Sequence, residues 1–198
     1  MTASTTIPHR EKLLREGMRR LYVHGFHGTT IDAILEGAGV PKGSFYHHFG
    51  SKEGFAKQVL ARYVQFQLDQ LGEWSGRADL TTPAVLSGYF RAMAGRFIAS
   101  GHRDACLAGK LATELCAEHE AFRAQLAEDL GVWKGRIAEL LRQGQRRGDV
   151  RADQPAEVLA DAVLALLQGA FVVALASRDD ASLASVSTAL ELLVAPPG

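Results

Sequence analysis

Between residues 9 and 24 the apolar positions Leu14, Met18, Leu21 and Tyr22 fall at i, i+4, i+7 and i+8, the single stripe of an amphipathic helix that Gly25 ends. Thr29 with Asp32 three residues later resembles a capping box, and Ile31, Ile34 and Leu35 face inward over a short helix. Ala38-Gly39-Val40 reads as a tight turn. Residues 41–49 form a second short helix, and Ser51 caps a long one with Phe55, Val59 and Tyr63 at i, i+4 and i+8. After a break at 76–82, residues 83–99 present Leu86, Tyr89, Phe90, Met93 and Phe97 at helical spacing. A short helix follows over 107–117, then a long one over 120–147 that buries Phe122, Leu126, Leu130, Trp133, Ile137 and Leu141. Residues 155–177 are apolar almost all round, and 181–194 carry a stripe of Leu183, Val186, Leu190 and Leu193. No segment alternates long enough to suggest a sheet, so the expected fold class is all-α. Pro8, Pro41, Pro83 and Pro155 each stand at the head of a helical pattern, where proline is tolerated.

Composition narrows the class. With 198 residues, 47% hydrophobic and 22% charged, the chain can bury a core without staples and is neither disordered nor fibrous. Two cysteines exclude a disulfide scaffold. The nearly apolar run 162–176 is interrupted by Gln168 and Gly169 and is short of the ~20 residues of a membrane span. No apolar leader follows Met1, so no membrane association and a cytoplasmic location are expected. The net charge of zero conceals an asymmetry: residues 1–60 carry eight Lys/Arg against five Asp/Glu and five of the seven histidines. A basic head on an acidic body points to a polyanionic partner for the head.

Two short helices joined by a tight turn with a glycine form a helix-turn-helix, whose second helix enters the DNA major groove. Ile31, Ile34, Leu35, Val40 and Phe45 supply the small core that fixes the angle between the helices. Lys42, Gly43, Ser44, Tyr46 and His47 are left on the other face. Gly43 lets a backbone approach DNA closely. Phenol and imidazole groups hold phosphates, which position the helix, whereas base edges specify sequence. Lys52 adds charge at the amino end of the next helix, where backbone N–H groups already favour an anion.

The run from Thr29-Thr30-Ile31-Asp32-Ala33-Ile34 through Ala38-Gly39-Val40-Pro41-Lys42-Gly43-Ser44-Phe45-Tyr46-His47-His48-Phe49-Gly50-Ser51-Lys52-Glu53 resembles the DNA-binding domain of the tetracycline-repressor-like (TetR) transcriptional regulators. The resemblance implies that Thr30, Lys42, Gly43, Ser44, Tyr46, His47 and Lys52 face DNA while Phe45 and Phe49 pack inside. It also implies a helix-turn-helix domain over 1–54 with the start of the connecting helix, then a helical effector-binding and dimerisation domain over 55–198. The rest of the chain matches in architecture: the family places a ligand cavity among its middle helices and dimerises through its last two.

For the effector, the large apolar side chains of the middle helices are Tyr89, Phe90, Met93, Phe97, Cys106, Trp133 and Phe171, with Gln168 as a polar anchor. A small apolar or thiol-reactive molecule suits such a lining. Cys106 follows Gly101-His102-Arg103-Asp104 at a helix start, where the dipole and Arg103 favour thiolate while Asp104 opposes it. Cys106 and Cys116 lie ten residues apart, about 15 Å along one continuous helix, and cannot bond to each other there. An inert buried thiol is the alternative. Dimerisation through 155–194 is expected because a helix apolar on every side needs cover on every side.

Enzymatic readings lack their motifs. Gly37 to Ser44 has Lys and Gly exchanged relative to a phosphate-binding loop and no preceding strand, and His119-Glu120 lacks a zincin's second histidine. No cofactor or metal is expected. The expectation is a ligand-responsive regulator, most simply a repressor, that binds a palindromic double-stranded operator as a homodimer. The long helix after Ser51 is its lever. The alternatives are a constitutive DNA-binding module without an effector, and an enzyme using the body's apolar pocket.

Overall fold

The structure is a computed structural model that describes residues 7–197; the expectation about the residues after Met1 lies outside the described residues. The described residues form nine helices and no strand. These are α1 (His9–His24), α2 (Ile31–Ala38), α3 (Lys42–Phe49), α4 (Lys52–Ser75), α5 (Thr82–Ala99), α6 (Leu107–Leu115), α7 (Glu120–Arg147), α8 (Ala156–Ser177) and α9 (Ala181–Val194). They group into two compact units, one of residues up to Tyr63 with Leu107–Leu126, the other of Val64–Cys106 with the chain from Ala127 onward.

In the first unit α1 packs on α2, α3 and α6. Leu13, Leu14 and Leu21 of α1, Ile34 and Leu35 of α2, Phe45 and Phe49 of α3, and Phe55 and Val59 of α4 are buried together in this unit. Gly17 permits a close approach: a Cβ there would meet the Phe55 ring at 2.1 Å. Glu11 receives Arg15 and Arg62, whose hydrogen bonds and charges hold its carboxyl down at about 2. Ser51 caps α4 as its sequence position suggests, its hydroxyl accepting from Gly54 N at 3.0 Å.

The cap of α2 sits one residue later than the box pattern places it. Thr30 Oγ1 accepts from Ala33 N at 3.2 Å. Thr29 is buried and its hydroxyl donates to Gly25 O at 2.7 Å. Of two adjacent threonines, the one with extended backbone just before the first helical turn can reach the free N–H groups. Asp32 is thereby free to pair with another helix.

In the second unit α9 packs on α5 and α8. Ser187 of α9 meets Ser87 of α5 at 3.3 Å, and the Thr82 hydroxyl and N–H both donate to Asp149, at 3.1 and 2.8 Å. Leu183 and Leu190, half of the α9 stripe, are buried in this unit's own core, Leu190 fully so. They are therefore not available to a partner. The apolar surface that remains uncovered lies elsewhere, at Val158, Val172, Val173 and Leu175 of α8 and Leu192 of α9. Leu159, Val163, Leu167, Phe171 and Ala174, on the opposite side of α8, are buried.

The apolar run 162–176 is extended by its flanks into a 22-residue helix that contains an 18-residue window of mean hydropathy 2.2, so α8 is long and apolar enough to cross a membrane by length and composition. A core helix of a soluble protein passes the same test, and one side of α8 is buried in protein.

Candidate nucleic-acid interface

Local chemistry builds the α2–turn–α3 unit. Gly39 ends α2 at φ 61°, ψ 43°, a left-handed conformation that glycine adopts without steric cost, and its N–H bonds back to the last turn. Val40 N donates to Leu35 O at 3.2 Å, tucking Val40 beneath the turn. Phe45 is fully buried, with its ring 5.3 Å from Phe49, 5.1 Å from Phe55 and 5.6 Å from Tyr46. These contacts fix which side of α3 faces outward.

On that outward side the structure brings together Lys42, Gly43, Tyr46 and His47, all exposed, and Ser44, half-buried. Tyr46 is 46% exposed, far more than an aromatic ring needs for packing. A Cβ at Gly43 would meet nothing within 4 Å, so the backbone there lies open to an approaching strand. Lys42 Nζ lies 3.0 Å from Asp32 Oδ1 of α2, and that hydrogen bond and charge raise its pKa. Ser44 Oγ lies 3.3 Å from His9 Nδ1 of α1. His47 and His48 stack edge to face at 5.1 Å.

Two of the residues named from sequence stand differently. Thr30, though exposed, spends its hydroxyl on the α2 cap. Lys52 directs its ammonium over the Phe26 ring, 4.3 Å from the centroid, and burial there lowers its pKa. Lys52 must swing away from Phe26 to reach a phosphate.

The periodicity does not reveal a clamp in the same unit. Lys110 Nζ of α6 donates to Tyr22 O at 2.8 Å and Val23 O at 3.3 Å, carbonyls of the last turn of α1. One turn further along α6, Glu114 Oε2 accepts from Phe26 N at 2.7 Å and His27 N at 3.1 Å. The helix dipole favours the cation on the carbonyl end of α1, and the carboxylate satisfies backbone N–H groups of the turn that follows.

In the second unit Tyr89, Phe90, Met93, Phe97, Cys106, Trp133 and Phe171 are all buried. Phe171 sets its ring 5.8 Å from Phe90 and 5.5 Å from Phe97. Gln168 is only half-buried. The buried amide is instead Gln67, whose Oε1 accepts from the Tyr89 hydroxyl at 3.0 Å. Burial pushes the Tyr89 hydroxyl far above its ordinary pKa, opposed by a hydrogen bond from Trp133. Cys106 is buried just before α6, and Cys116 is half-buried. The loop before Cys106 turns through Gly101 (φ 69°) and His102 (φ 60°), and His102 Nε2 lies 2.6 Å from Asp180 Oδ1. Among the described residues no three His, Cys, Asp or Glu side chains converge as a metal site.

Family models match both ends of the chain: residues 13–59 match "Bacterial regulatory proteins, tetR family", and residues 84–190 match "Tetracyclin repressor-like, C-terminal domain". The chain is 33% identical over 162 residues to the transcriptional regulator AcuR of Cereibacter sphaeroides, spanning 82% of this chain and 74% of that one. It is 34% identical over 148 residues to the transcriptional repressor NemR of Escherichia coli, spanning 75% and 72%. The fold resembles the crystal structure of a regulatory protein TetR from Rhodobacter sphaeroides, with TM-score 0.86 and 30% identity over 94% of this chain and 98% of that one. It resembles the reduced form of E. coli NemR equally well, with TM-score 0.87 and 26% identity over 96% and 98%.

Proposed function

The chain belongs to the TetR family of bacterial transcriptional regulators, and on that premise we propose that it is a repressor that binds a palindromic DNA operator as a homodimer and leaves it when a small molecule binds. The observation that carries the DNA part is the outward face of α3, where Lys42, Gly43, Ser44, Tyr46 and His47 stand together while Phe45 and Phe49 lock the opposite face. The proposed location of such a reader is the cytoplasm of a bacterium.

Tyr46 and His47 hold phosphates, and Lys42 reads bases once it leaves Asp32. Tyr46→Phe then weakens operator and unrelated duplex by similar factors, about three- to tenfold for one lost hydrogen bond. Lys42→Ala relaxes sequence preference as well. Titration of both duplexes separates the two, and unchanged binding of both by Tyr46→Phe overturns the assignment.

The effector site is the buried cluster of Tyr89, Phe90, Met93, Phe97, Cys106, Trp133 and Phe171. Its polar anchor is the pair Gln67 and Tyr89, a reading that favours Gln67 over Gln168 because the former is buried and hydrogen-bonded among these residues. The effector is a small apolar or thiol-reactive molecule. Support for the thiol comes from the neighbouring NemR structure, described as a reduced form.

A ligand shifts an equilibrium only through its differential affinity for the two states, and a coupling of about 1–3 kcal/mol changes operator affinity 5–150-fold. Cys106 immediately precedes α6, and α6 carries the Lys110 and Glu114 clamp on the end of α1. Within the first unit, displacement of α6 removes the Lys110 and Glu114 hold on the end of α1. N-Ethylmaleimide is expected to release operator from the parent and to release it at least fivefold less effectively from Cys106→Ser. Equal release from both removes Cys106 from the mechanism.

A further inference from the structure

We propose that His9, the first residue of α1, is an additional DNA-phosphate contact that acts beside Ser44 and makes operator binding proton-dependent. The proposal rests on the DNA reading of α3 above and adds to it a residue from a different helix.

The geometry points there from one contact. His9 is exposed, yet its Nδ1 lies 3.3 Å from the Ser44 hydroxyl across 35 residues of chain. A serine hydroxyl is short, so a phosphate oxygen that it reaches lies against the group already bonded to it. With Nδ1 turned to Ser44, the other ring nitrogen is left to donate outward. When the imidazole carries a proton on both nitrogens, Nδ1–H donates to the Ser44 oxygen and frees the serine O–H, so that Ser44 and Nε2–H form a two-point grip on one backbone phosphate, the kind of contact that sets the register of a recognition helix without reading bases.

The surrounding charges make this contact sensitive to protons. On its own helix His9 is followed by Arg10, held by Gln58 of α4 at 2.8 Å, by Glu11, and by Lys12. On α3 the titratable groups are Lys42, Tyr46, His47 and His48, and on α2 they are Asp32 and Glu36. Two of the carboxylates on these helices are already committed: Glu11 to Arg15 and Arg62, Asp32 to Lys42. A proton on His9 therefore meets a rim rich in cations, and a phosphate placed there attracts it. Protonation of His9 and binding of a phosphate to it favour each other by linkage.

The test uses the full chain and a duplex it selects, with affinity measured at pH 8 and pH 6 at fixed salt, then at several salt concentrations. The variants are His9→Gln, whose amide keeps a bond to Ser44 without becoming charged, and His47→Gln on the same face. For the parent, affinity rises by about tenfold per half-site between pH 8 and pH 6, the worth of one hydrogen bond becoming charge-assisted. His9→Gln binds within about twofold of the parent at pH 8 and loses most of the gain at pH 6. Its salt slope at pH 6 is shallower by about 0.9 for each histidine lost from the contact. A parent without a pH gain, a His9→Gln variant with the parent's gain and slope, or a gain abolished by His47→Gln alone overturns the proposal. A parent that selects no duplex at either pH overturns the DNA reading itself, and this contact with it.

Discussion

Val172→Glu combined with Leu192→Glu is expected to turn the dimer into monomers and to weaken full-operator binding by about 10²–10⁴-fold, the avidity that linking two half-site contacts supplies. Val172 and Leu192 are 66% and 73% exposed, the most exposed large apolar side chains described, and they lie on α8 and α9. Val158, Val173 and Leu175 extend the same uncovered apolar character along α8. In the proposed homodimer, two copies of the α8–α9 pair related by a two-fold axis would cover it as a four-helix interface. Carboxylates buried there without partners cost about 3–5 kcal/mol each, enough to dominate an association equilibrium. Because both side chains are exposed in the protomer, the monomer keeps its fold and its affinity for a single half-site. Sedimentation and half-site titration check this, and a charged variant that sediments like the parent and binds the full operator equally well places the dimer surface elsewhere. Leu190→Glu, by contrast, is expected to unfold the protomer, since Leu190 is fully buried.

Phe45→Ala is expected to cost about 3–5 kcal/mol, a large part of the 5–15 kcal/mol by which a typical domain is stable. The ring is fully buried and sits within 5.6 Å of the rings of Phe49, Phe55 and Tyr46. Its removal leaves α3 without the anchor that ties it to α4 and orients its outward face. Operator binding is expected to fall with it at 37 °C, even though Phe45 itself is fully buried. Phe45→Leu, which keeps most of the volume, costs less than about 1.5 kcal/mol if the neighbours repack. Denaturant unfolding and operator titration measure both effects; a Phe45→Ala protein as stable as the parent contradicts the packing described here.

The helix-turn-helix was legible in sequence because its determinants are local. Gly39, Pro41 and the burial of Phe45 and Phe49 act within twenty residues, and the spacing alone separates the core face from Tyr46 and His47. The α9 stripe was legible as apolar but not as to what it faces: Leu183 and Leu190 are buried in a unit where α9 packs on α5 and α8, and Leu192, outside the stripe, is left bare. Periodicity finds an apolar side and is silent about which neighbour covers it. The choice between Thr29 and Thr30 turned on backbone conformation at adjacent identical residues. The contacts that remained hidden are tertiary and distant in sequence: His9 with Ser44, Tyr89 with Gln67, and Lys110 and Glu114 with the end of α1. Each joins ordinary surface residue types, and only the packing of helices brings them together.

Selection of duplexes from a random pool by the unmodified protein, followed by sequencing, tests the central claim most directly. Two recognition helices related by a two-fold axis sit about 34 Å apart or a multiple of it, so the selected sites are palindromes with half-sites spaced by whole helical turns. The effector-free protein is expected to enrich one such palindrome, and operator occupancy is expected to fall when a small apolar or thiol-reactive compound is added. Enrichment of single, asymmetric half-sites, or of no sequence at all, contradicts the account.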